Sequence, residues 1–372
     1  MTTIINGSSP SITFSDGSAQ TSATRPFLNR IINGAMVIAQ RATTATANLT
    51  TAASGLFIAD RFRAVITAGT GVFTFAQDSS LYPTGFTYSL KATVTTAYTV
   101  TGTDRYEIAQ LIEGYNIADL SWGTASAQTI TVSFWVRSSL TGTFGGVVQN
   151  ANADYNYPFS YTVSVANTWE QKTITITGPT TGTWATDNTQ GLKVVWSLGC
   201  GSTRLGTAGA WSATRFEGVT GQTQLIATNG ATFNITGVQL EKGATATSFD
   251  YRDYGREMIM CQRYYTQFGK EQGYTPLASL GVSYNATNTL IPLILPVKMR
   301  TYPTFVVSTA EIVEWQTTNS WPVTTYTTPT DQSGMQTQLI NVGIGSSSFT
   351  AGRVTSIRTT STAGYIGFSA EL

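Results

Sequence analysis

The chain has 372 residues, only 11% of them charged, and its 21 Lys and Arg against 20 Asp and Glu give a formal net charge of +1. No run of Lys or Arg occurs, which argues against a nucleic-acid partner, and no apolar stretch reaches the roughly 18 residues of a membrane-spanning helix. The complete absence of histidine excludes Ser-His-Asp and Cys-His catalysis and histidine metal ligands.

The aromatic content distinguishes this low-charge chain from a disordered one. With 17 Tyr, 17 Phe and 8 Trp it has enough large side chains to fill a core, and its Thr- and Gly-rich background favours strands and turns. Cys200 and Cys261 lack CxxC spacing and are expected to be buried as small hydrophobic side chains. Composition alone therefore indicates an all-β protein.

Residues 1–25 are polar and contain only two short apolar patches, Ile4-Ile5 and Ile12 to Phe14. Such a segment cannot offset its own ordering entropy, which predicts an attachment arm that orders on a partner. Asp16-Gly17 suits the turn of a small hairpin. The first seven residues lack the basic and apolar regions of a signal peptide, so synthesis in a cytoplasm is expected.

Residues 26–252 contain a series of short alternating runs. Alternation of apolar and polar residues puts one face of a strand in a core and the other in water. The clearest runs, separated by Gly- and Thr-rich turns, are 130–136, 161–165, 172–177, 192–198 and 232–240. Regular strands with such turns predict an antiparallel jelly-roll sandwich.

Residues 253–269 have a helical period instead. Asp253 suits the N-cap of a helix, and Gly269 suits a left-handed residue at its end, so a short connecting helix of about three turns is predicted. The side chains on its apolar stripe are Met258, Cys261, Tyr265 and Phe268. This stripe is expected to pack on the sandwich or around the threefold axis of a homotrimer.

Strands resume over residues 270–372, which are interpreted as a smaller C-terminal β domain. The run 290–297 contains prolines and is expected to be an edge or irregular strand. Further strands are predicted at 303–308, 339–344, 354–357 and 365–372. The polar segment 314–329 is predicted to be a loop.

Several phrases in the first two thirds of the chain occur in an order that is shared with a known family. They are INGSSPSITFSDGSAQTSA (5–23), NGAMVIAQRA (33–42), ADRFRA (59–64), QLIEGYNIADLSWGTASAQTITVSFWVRSS (110–139), TWEQKTITITG (168–178) and FNITGVQLEKGATATSFDYRDYGREMIMCQRYY (233–265). This order resembles fibre or appendage proteins of tailed bacteriophages that carry a carbohydrate-binding, galactose-binding-like jelly roll.

The resemblance implies a non-catalytic virion protein, made in the host bacterial cytoplasm, that binds a host-surface glycan or receptor during adsorption. It implies a homotrimer attached to other virion proteins through residues 1–25, with no cofactor, nucleic acid or membrane insertion. A structural calcium ion is compatible with such a jelly roll, although the sequence assigns it no ligands. Two alternatives stay open: a capsid-decoration or head-fibre protein without a receptor, and a polysaccharide depolymerase.

Carboxylate pairs are the enzymatic option that remains, because glycoside hydrolysis needs only two acids. The candidate groups are Glu107 with Glu113 and Asp119, Asp250 with Asp253 and Glu257, and Glu311 with Glu314. On a strand, Glu107 and Glu113 share a face, whereas Glu311 and Glu314 do not. In a chain with 20 acids such proximity arises by chance, so no enzyme is predicted. Glu241 is expected to bind backbone amides or an arginine such as Arg252.

Aromatic residues are the stronger signal for sugar binding, because rings stack on the C–H faces of sugars while neutral polar groups bind hydroxyls. Trp135 and Trp196 lie in alternating runs and Trp122 and Trp169 in the family phrases, so these four are expected in the core. The predicted ligand-binding residues lie in polar loops, as do Tyr155 and Tyr157. They are Trp184, Trp211, Trp315, Trp321 and Tyr326. The alternative for both groups is packing between the subunits of a trimer.

Overall fold

The computed structural model describes most of the chain. The described residues are 4–6, 11–13, 19–20, 28–47, 55–269, 280–308, 310–314, 320–327, 333–345, 349–359 and 364–372. Among them, no helix is long and apolar enough to cross a membrane.

The described elements are almost all strands. The first are β1 (Ile4–Asn6), β2 (Ser11–Thr13), β3 (Ala19–Gln20), β4 (Thr44–Ala47), β5 (Leu56–Phe57), β6 (Phe62–Ile66), β7 (Val72–Asp78), β8 (Ser89–Thr96) and β9 (Arg105–Glu113). The next are β10 (Ile130–Ser138), β11 (Gly142–Gln149), β12 (Asn156–Val163), β13 (Glu170–Ile176), β14 (Gln190–Cys200), β15 (Leu205–Gly206), β16 (Gly218–Val219) and β17 (Thr232–Lys242).

One α-helix and a second series of strands follow. They are α1 (Tyr254–Gln262), β18 (Tyr265–Gly269), β19 (Gly281–Ser283), β20 (Asn288–Ile294), β21 (Thr304–Val307), β22 (Ala310–Glu314), β23 (Ser320–Thr327), β24 (Thr337–Ile344), β25 (Val354–Thr359) and β26 (Tyr365–Ser369). Single 3-10 turns lie at Gly114–Asn116, Ala118–Leu120, Ser202–Arg204 and Leu225–Ala227.

Two antiparallel six-stranded sheets form a sandwich, as the alternating runs predict. The front sheet has the order β13-β10-β17-β8-β7-β4, and the back sheet has the order β12-β11-β14-β9-β6-β5. The inward side chains of both sheets form one hydrophobic core, which includes Phe62, Phe134 and Trp196. The predicted jelly-roll sandwich is confirmed.

The middle of the back sheet, formed by β11, β14 and β9, is buried on both faces. In β14, Val194 and Trp196 belong to the sandwich core, whereas Val195 faces the other way and packs with Val147 and Phe216. Residues 201–224 lie over this outer face and are called the cover segment. This burial on both faces explains why β14 is buried over nearly its whole length.

Residues 1–25 form a small sheet of their own in the described part. The strand β2 pairs with β1 on one side and with β3 on the other, all antiparallel. The predicted Asp16-Gly17 turn lies outside the described residues. Ordering of this arm on a partner stays a prediction.

The helix begins where the sequence predicts and ends earlier. Asp253 caps α1, because its carboxylate accepts the Arg256 N–H at 2.9 Å. The prediction of helix as far as residue 269 is wrong, since β18 starts at Tyr265 and pairs with β26. The physical reason is that pairing with β26 satisfies the backbone of residues 265–269, while the buried Tyr264 just before them donates its hydroxyl to Glu113 Oε2 at 2.6 Å.

The C-terminal residues form a closed barrel with the order β19-β20-β24-β23-β22-β25, beside a three-stranded sheet with the order β18-β26-β21. The strand β20 has β19 on one side and β24 on the other, so the expectation of an edge strand is wrong. Its Pro292 pairs with Leu339 of β24 and lies beyond the short β19, so its missing N–H disturbs no described pair on that side. The predicted smaller β domain is confirmed.

The predicted loop 314–329 is also corrected. Residues 320–327 form β23, which pairs with β22 and β24. Trp321 is half-buried in this strand and meets Phe349 edge-on, with ring centroids 5.2 Å apart. Its ring packs against the barrel core, so it is a packing residue in this structure.

Arg300 joins the barrel to the sandwich. Its guanidinium donates to the carbonyls of Asn188 at 2.9 Å, Ala370 at 2.7 Å and Glu371 at 2.8 Å. The Glu371 carboxylate in turn pairs with Arg41 at 3.1 Å and with Arg61. The three-stranded sheet is thereby tied to the N-terminal part of the sandwich.

We expect Trp321→Ala to destabilise the barrel by about 3 kcal/mol, near the low end of the values for removing a core Trp, because it leaves a gap beside Phe349. Tyr302, which is 62% exposed, is the matched control, and Tyr302→Ala should change stability by no more than about 0.5 kcal/mol. Calorimetric melting of both variants tests this. Equal melting temperatures would contradict the packing role of Trp321.

Candidate functional site

A cavity with an aromatic lining lies beside the start of α1. Its volume is about 210 Å³, and it opens between residues 29–37, the turn 85–87 and residues 249–257. We call it the Tyr251 pocket. Its aromatic lining is Phe86, Phe249, Tyr251 and Tyr254, and its charged lining is Asp250, Arg252 and Glu257.

The aromatic wall of the Tyr251 pocket is a packed set of rings. The Phe86 centroid lies 5.2 Å from that of Phe249 and 5.5 Å from that of Tyr251, and the centroids of Phe249 and Tyr251 are 4.7 Å apart. The Tyr251 hydroxyl donates to the Gly85 carbonyl, which fixes its ring. Tyr251 and Tyr254 are nevertheless 56% and 60% exposed, so the wall presents ring surface to a ligand.

A glycine of the front sheet makes room for these rings. Gly237 in β17 has a φ of +60°, and a Cβ there would lie 2.6 Å from Phe86 and 2.9 Å from Trp135. Trp135 therefore lies on the outer face of the front sheet, half-buried, and the expectation of a core position is wrong. Its neighbours Phe134 and Val136 take the core positions.

The floor of the Tyr251 pocket holds a buried ion pair. Arg252 Nη1 lies 3.2 Å from Glu257 Oε2 and donates to the Ile31 carbonyl at 3.0 Å, while Nη2 donates to the Asn29 carbonyl. The other oxygen of Glu257 accepts the Asn33 N–H. These contacts occupy both charged groups.

Asp250 is less fully engaged. Its Oδ2 accepts the Asn29 N–H at 3.3 Å, and its own N–H donates to Gln239 Oε1 at 2.8 Å. Among the described residues, its second carboxylate oxygen has no hydrogen-bond partner. The pocket therefore offers one carboxylate oxygen to a ligand beside two tyrosine rings.

Trp184 and Trp211 join a different aromatic cluster. With Trp122 they form three edge-on pairs, whose centroids are 4.7, 5.6 and 5.6 Å apart. Tyr155 and Tyr157 pack at its rim. Each indole N–H donates to a backbone carbonyl of the same chain, and Trp184 is only 8% exposed, so it is not the exposed residue that the sequence predicts.

The structure agrees with some of the other expectations for aromatic residues and differs from others. Trp122 and Trp196 are buried in the core as expected, whereas Trp169 is only half-buried. Tyr326 packs against the barrel core 5.7 Å from Phe305, and burial raises its pKa to about 12. Trp315 lies outside the described residues. Ligand binding by Trp184, Trp211, Trp315, Trp321 and Tyr326 stays a prediction.

The candidate carboxylates have separate partners. Glu107 and Glu113 lie at positions of the same parity in β9, as predicted, but Glu113 binds Arg263 at 2.5 Å together with Tyr264. Asp119 pairs with Arg30 at 2.8 Å, and Asp253 caps the helix. Glu241 accepts the Thr247 N–H at 2.8 Å, so its predicted contact with a backbone amide is confirmed. For Glu311 and Glu314 only their place in β22 is described.

Glu107 belongs to an ionic cluster on the outer face of the back sheet. Lys193 Nζ lies 2.6 Å from Glu107 and 3.7 Å from Glu217, and Glu217 also binds Arg105 at 2.9 Å and Arg215 at 2.8 Å. The cover segment contributes Glu217 and Arg215. The Glu107, Lys193 and Glu217 side chains are almost fully buried, so neither carboxylate is accessible to a polysaccharide in this structure.

The pKa values of the two carboxylates in this cluster, Glu217 and Glu107, are shifted in opposite directions. Burial by itself would raise the pKa of Glu217, but Lys193 and Arg105 lower it from 4.5 to about 2. Burial and the nearby Glu217 raise the pKa of Glu107. Glu217 could not be singled out from the sequence, because its partners Arg105 and Lys193 lie on distant strands. Within the described part of the chain, no group of three or more His, Cys, Asp or Glu could hold a metal ion.

No protein-family model matches the chain, and comparison with curated proteins gives no match. Among solved structures, it is similar to the enzymatically active domain of tailspike protein 4 of bacteriophage CBA120, with 12% identity and a TM-score of 0.32. That match covers 59% of this chain and 22% of the tailspike chain.

Two further structures are named for sugar binding. A putative sugar-binding protein from Bacteroides thetaiotaomicron has 11% identity and a TM-score of 0.33, over 58% of this chain and 100% of that one. The module TmCBM61, solved with β-1,4-galactotriose, has 9% identity and a TM-score of 0.27, over 58% of this chain and 99% of that one. At these values, no property of these proteins is carried over to this chain.

We expect Glu217→Gln to destabilise the sandwich by about 3–5 kcal/mol, because it leaves the charges of Lys193 and Arg105 buried without a full partner. The lowered pKa of Glu217 stabilises the fold fully above pH 4.5, and this contribution disappears as the pH falls towards about 2. Melting temperatures of the wild type and the variant, measured between pH 7 and pH 2, test this.

The two curves should converge on acidification as Glu217 becomes protonated in the wild type. Lys172→Gln, which removes the cation of a pair with Glu170 on β13, is the control and should change stability little. A constant difference between wild type and Glu217→Gln over the whole pH range would contradict the ionic role of Glu217.

Proposed function

We propose that this chain is a non-catalytic fibre or similar appendage protein of a bacteriophage virion, and that it binds a host-surface glycan in the Tyr251 pocket. The observation that carries the glycan part is the pair of exposed rings, Tyr251 and Tyr254, beside the available carboxylate oxygen of Asp250. Ligand sites typically combine apolar and aromatic lining with a few placed polar groups.

The chemistry of a sugar matches this arrangement. A pyranose ring presents C–H groups that pack on an aromatic face and hydroxyls that donate to carboxylate oxygens. The packing among Phe86, Phe249 and Tyr251 fixes the wall before a ligand arrives. A preformed wall lowers the ordering cost of binding.

Support for a non-catalytic role comes from the state of the carboxylates. Glu257 is held by Arg252 and by the Asn33 N–H, so it has no free oxygen for acid or base catalysis. Glu107 and Glu217 lie beneath the cover segment. Asp250 is thus the one carboxylate of the Tyr251 pocket that is available to a ligand, and glycoside hydrolysis typically needs two.

Support for a virion role comes from the sequence segments between residues 5 and 265 that resemble bacteriophage fibre proteins, and from the polar residues 1–25. We propose that these residues attach a homotrimer to other virion proteins, with the sandwich and the barrel projecting outward. A capsid-decoration or head-fibre protein shares these features except for the receptor. Loss of host adsorption in a pocket variant separates the two.

We expect Tyr254→Ala and Tyr251→Ala each to weaken glycan binding and host-cell adsorption at least about tenfold, because an aromatic anchor typically contributes about 2 kcal/mol or more. Glycan-array binding of the purified protein and adsorption of mutant particles measure the effect. Tyr254 has no ring partner among the described residues, so its variant should melt normally.

Tyr302→Ala is the matched control, since Tyr302 is equally exposed but lies outside the pocket. It should bind and adsorb like the wild type. Normal adsorption of both pocket variants, with normal melting, would rule out the Tyr251 pocket as the receptor site.

We expect deletion of residues 1–25 to leave the melting temperature of the sandwich unchanged and to abolish incorporation into particles. The reason is that the arm has too few apolar residues to support the core. Composition of purified mutant particles, determined by mass spectrometry, tests this. Wild-type incorporation of the shortened chain would exclude the arm as the attachment segment.

A further inference from the structure

The size of the Tyr251 pocket limits what it can hold. Its volume of about 210 Å³ is below the roughly 300–1,000 Å³ of pockets that enclose drug-sized ligands. Its lining comes from residues 29–37, the turn 85–87 and residues 249–257, which include the first turn of α1. A site of this size has room for one sugar ring and not for a run of them.

The charges around the Tyr251 pocket limit the ligand further. Its lining contains Asp250, Glu257 and Arg252, with a formal sum of −1. The Arg252 guanidinium is almost fully buried and directs its donors at Glu257 and at the carbonyls of Asn29 and Ile31. It therefore has little capacity to bind an acidic ligand.

Asp250 makes the electrostatic potential at the ligand position in the pocket negative. Of the three lining charges, it is the one that no described residue neutralises, since its contacts are with the neutral Asn29 N–H and Gln239. A carboxylate on a bound sugar would face this like charge at short range, which costs several kcal/mol. A hydroxyl or an ammonium group would donate to it.

We propose that the Tyr251 pocket binds a single sugar ring at the end of a glycan, that this ring carries hydroxyl or amino groups, and that uronic and other acidic sugars are rejected by Asp250. This inference rests on the proposed function. It adds a class of sugar, a mode of recognition at chain ends and a residue that determines specificity.

The experiment uses the full chain and measures affinities by titration calorimetry and ligand-observed NMR. The probes are the methyl glycosides of glucose, galactose, mannose and glucosamine, and those of glucuronic and galacturonic acid, together with the corresponding di- and tetrasaccharides. The proteins are the wild type, Asp250→Asn, Tyr251→Ala and the control Asp187→Asn, whose acid is exposed outside the pocket.

We expect the best neutral or amino glycoside to bind at least about tenfold more tightly than its uronide, because a like charge at the site costs more than about 1.4 kcal/mol. Asp250→Asn should reduce this ratio to within about threefold. Its amide oxygen still accepts the Asn29 N–H, so the variant should melt normally. Asp187→Asn should keep the wild-type ratio, and lengthening the glycan should change the affinity little.

The outcomes separate this inference from the proposed function. Uronides that bind as well as neutral glycosides, a wild-type ratio in Asp250→Asn, or an affinity that increases steeply with chain length would overturn the inference while glycan binding stands. Binding that persists in Tyr251→Ala would put the site elsewhere and overturn both the pocket and its specificity. No binding of any saccharide would overturn the proposed function itself.

Discussion

The buried ion pair between Arg252 and Glu257 organises the region on which the proposed function depends. Arg252 binds the carbonyls of Asn29 and Ile31, and Glu257 binds the Asn33 N–H, so the pair satisfies three backbone groups of the segment that borders the pocket. A buried charge is tolerated only when it is paired and hydrogen-bonded, as both are here. Removing either partner would leave the other as an isolated charge in the interior.

This pair also connects the helix α1 to the sandwich through the segment 29–33. The Asn29 amide donates to the Val238 carbonyl and its oxygen accepts the Leu240 N–H, so the N-terminal segment is fixed to β17 of the front sheet. Glu257 lies in the first turns of α1. The Tyr251 pocket is therefore bounded by elements that are rigidly connected, although its residues come from three distant parts of the sequence.

Much of the fold can be predicted from alternation, because each strand carries its own pattern. The runs around Phe134 and Trp196 predict strands with one face in the core, and the structure has them there. Alternation could not show that the middle of the back sheet is buried on both faces, because the cover segment that contacts Val195 is irregular in sequence. The end of α1 was missed since Tyr264 and Tyr265 fit a helical stripe as well as a strand.

The candidate site was harder to predict, because exposure is a tertiary property. A tryptophan in a polar loop suggests an open binding face, yet Trp184 and Trp211 bury one another with Trp122. The tyrosines of the pocket lie among charged residues at the start of the helix, a segment whose sequence pattern predicts a helix cap and not a binding site. The alternation of aromatic and charged residues from Phe249 to Tyr254 is the signal that could have revealed them.

The position of β26 affects how the chain reaches its native state. It is the middle strand of its sheet, with β18 on one side and β21 on the other, although β18 precedes the whole barrel in sequence. Until β26 is available, both neighbours expose unpaired backbone along one edge, and such edges are templates for pairing with another molecule. Contacts across so long a stretch of sequence also form slowly, because loop closure opposes them. The time between the emergence of β18 from the ribosome and the docking of β26 is thus the interval in which nascent chains are most exposed to wrong association with one another.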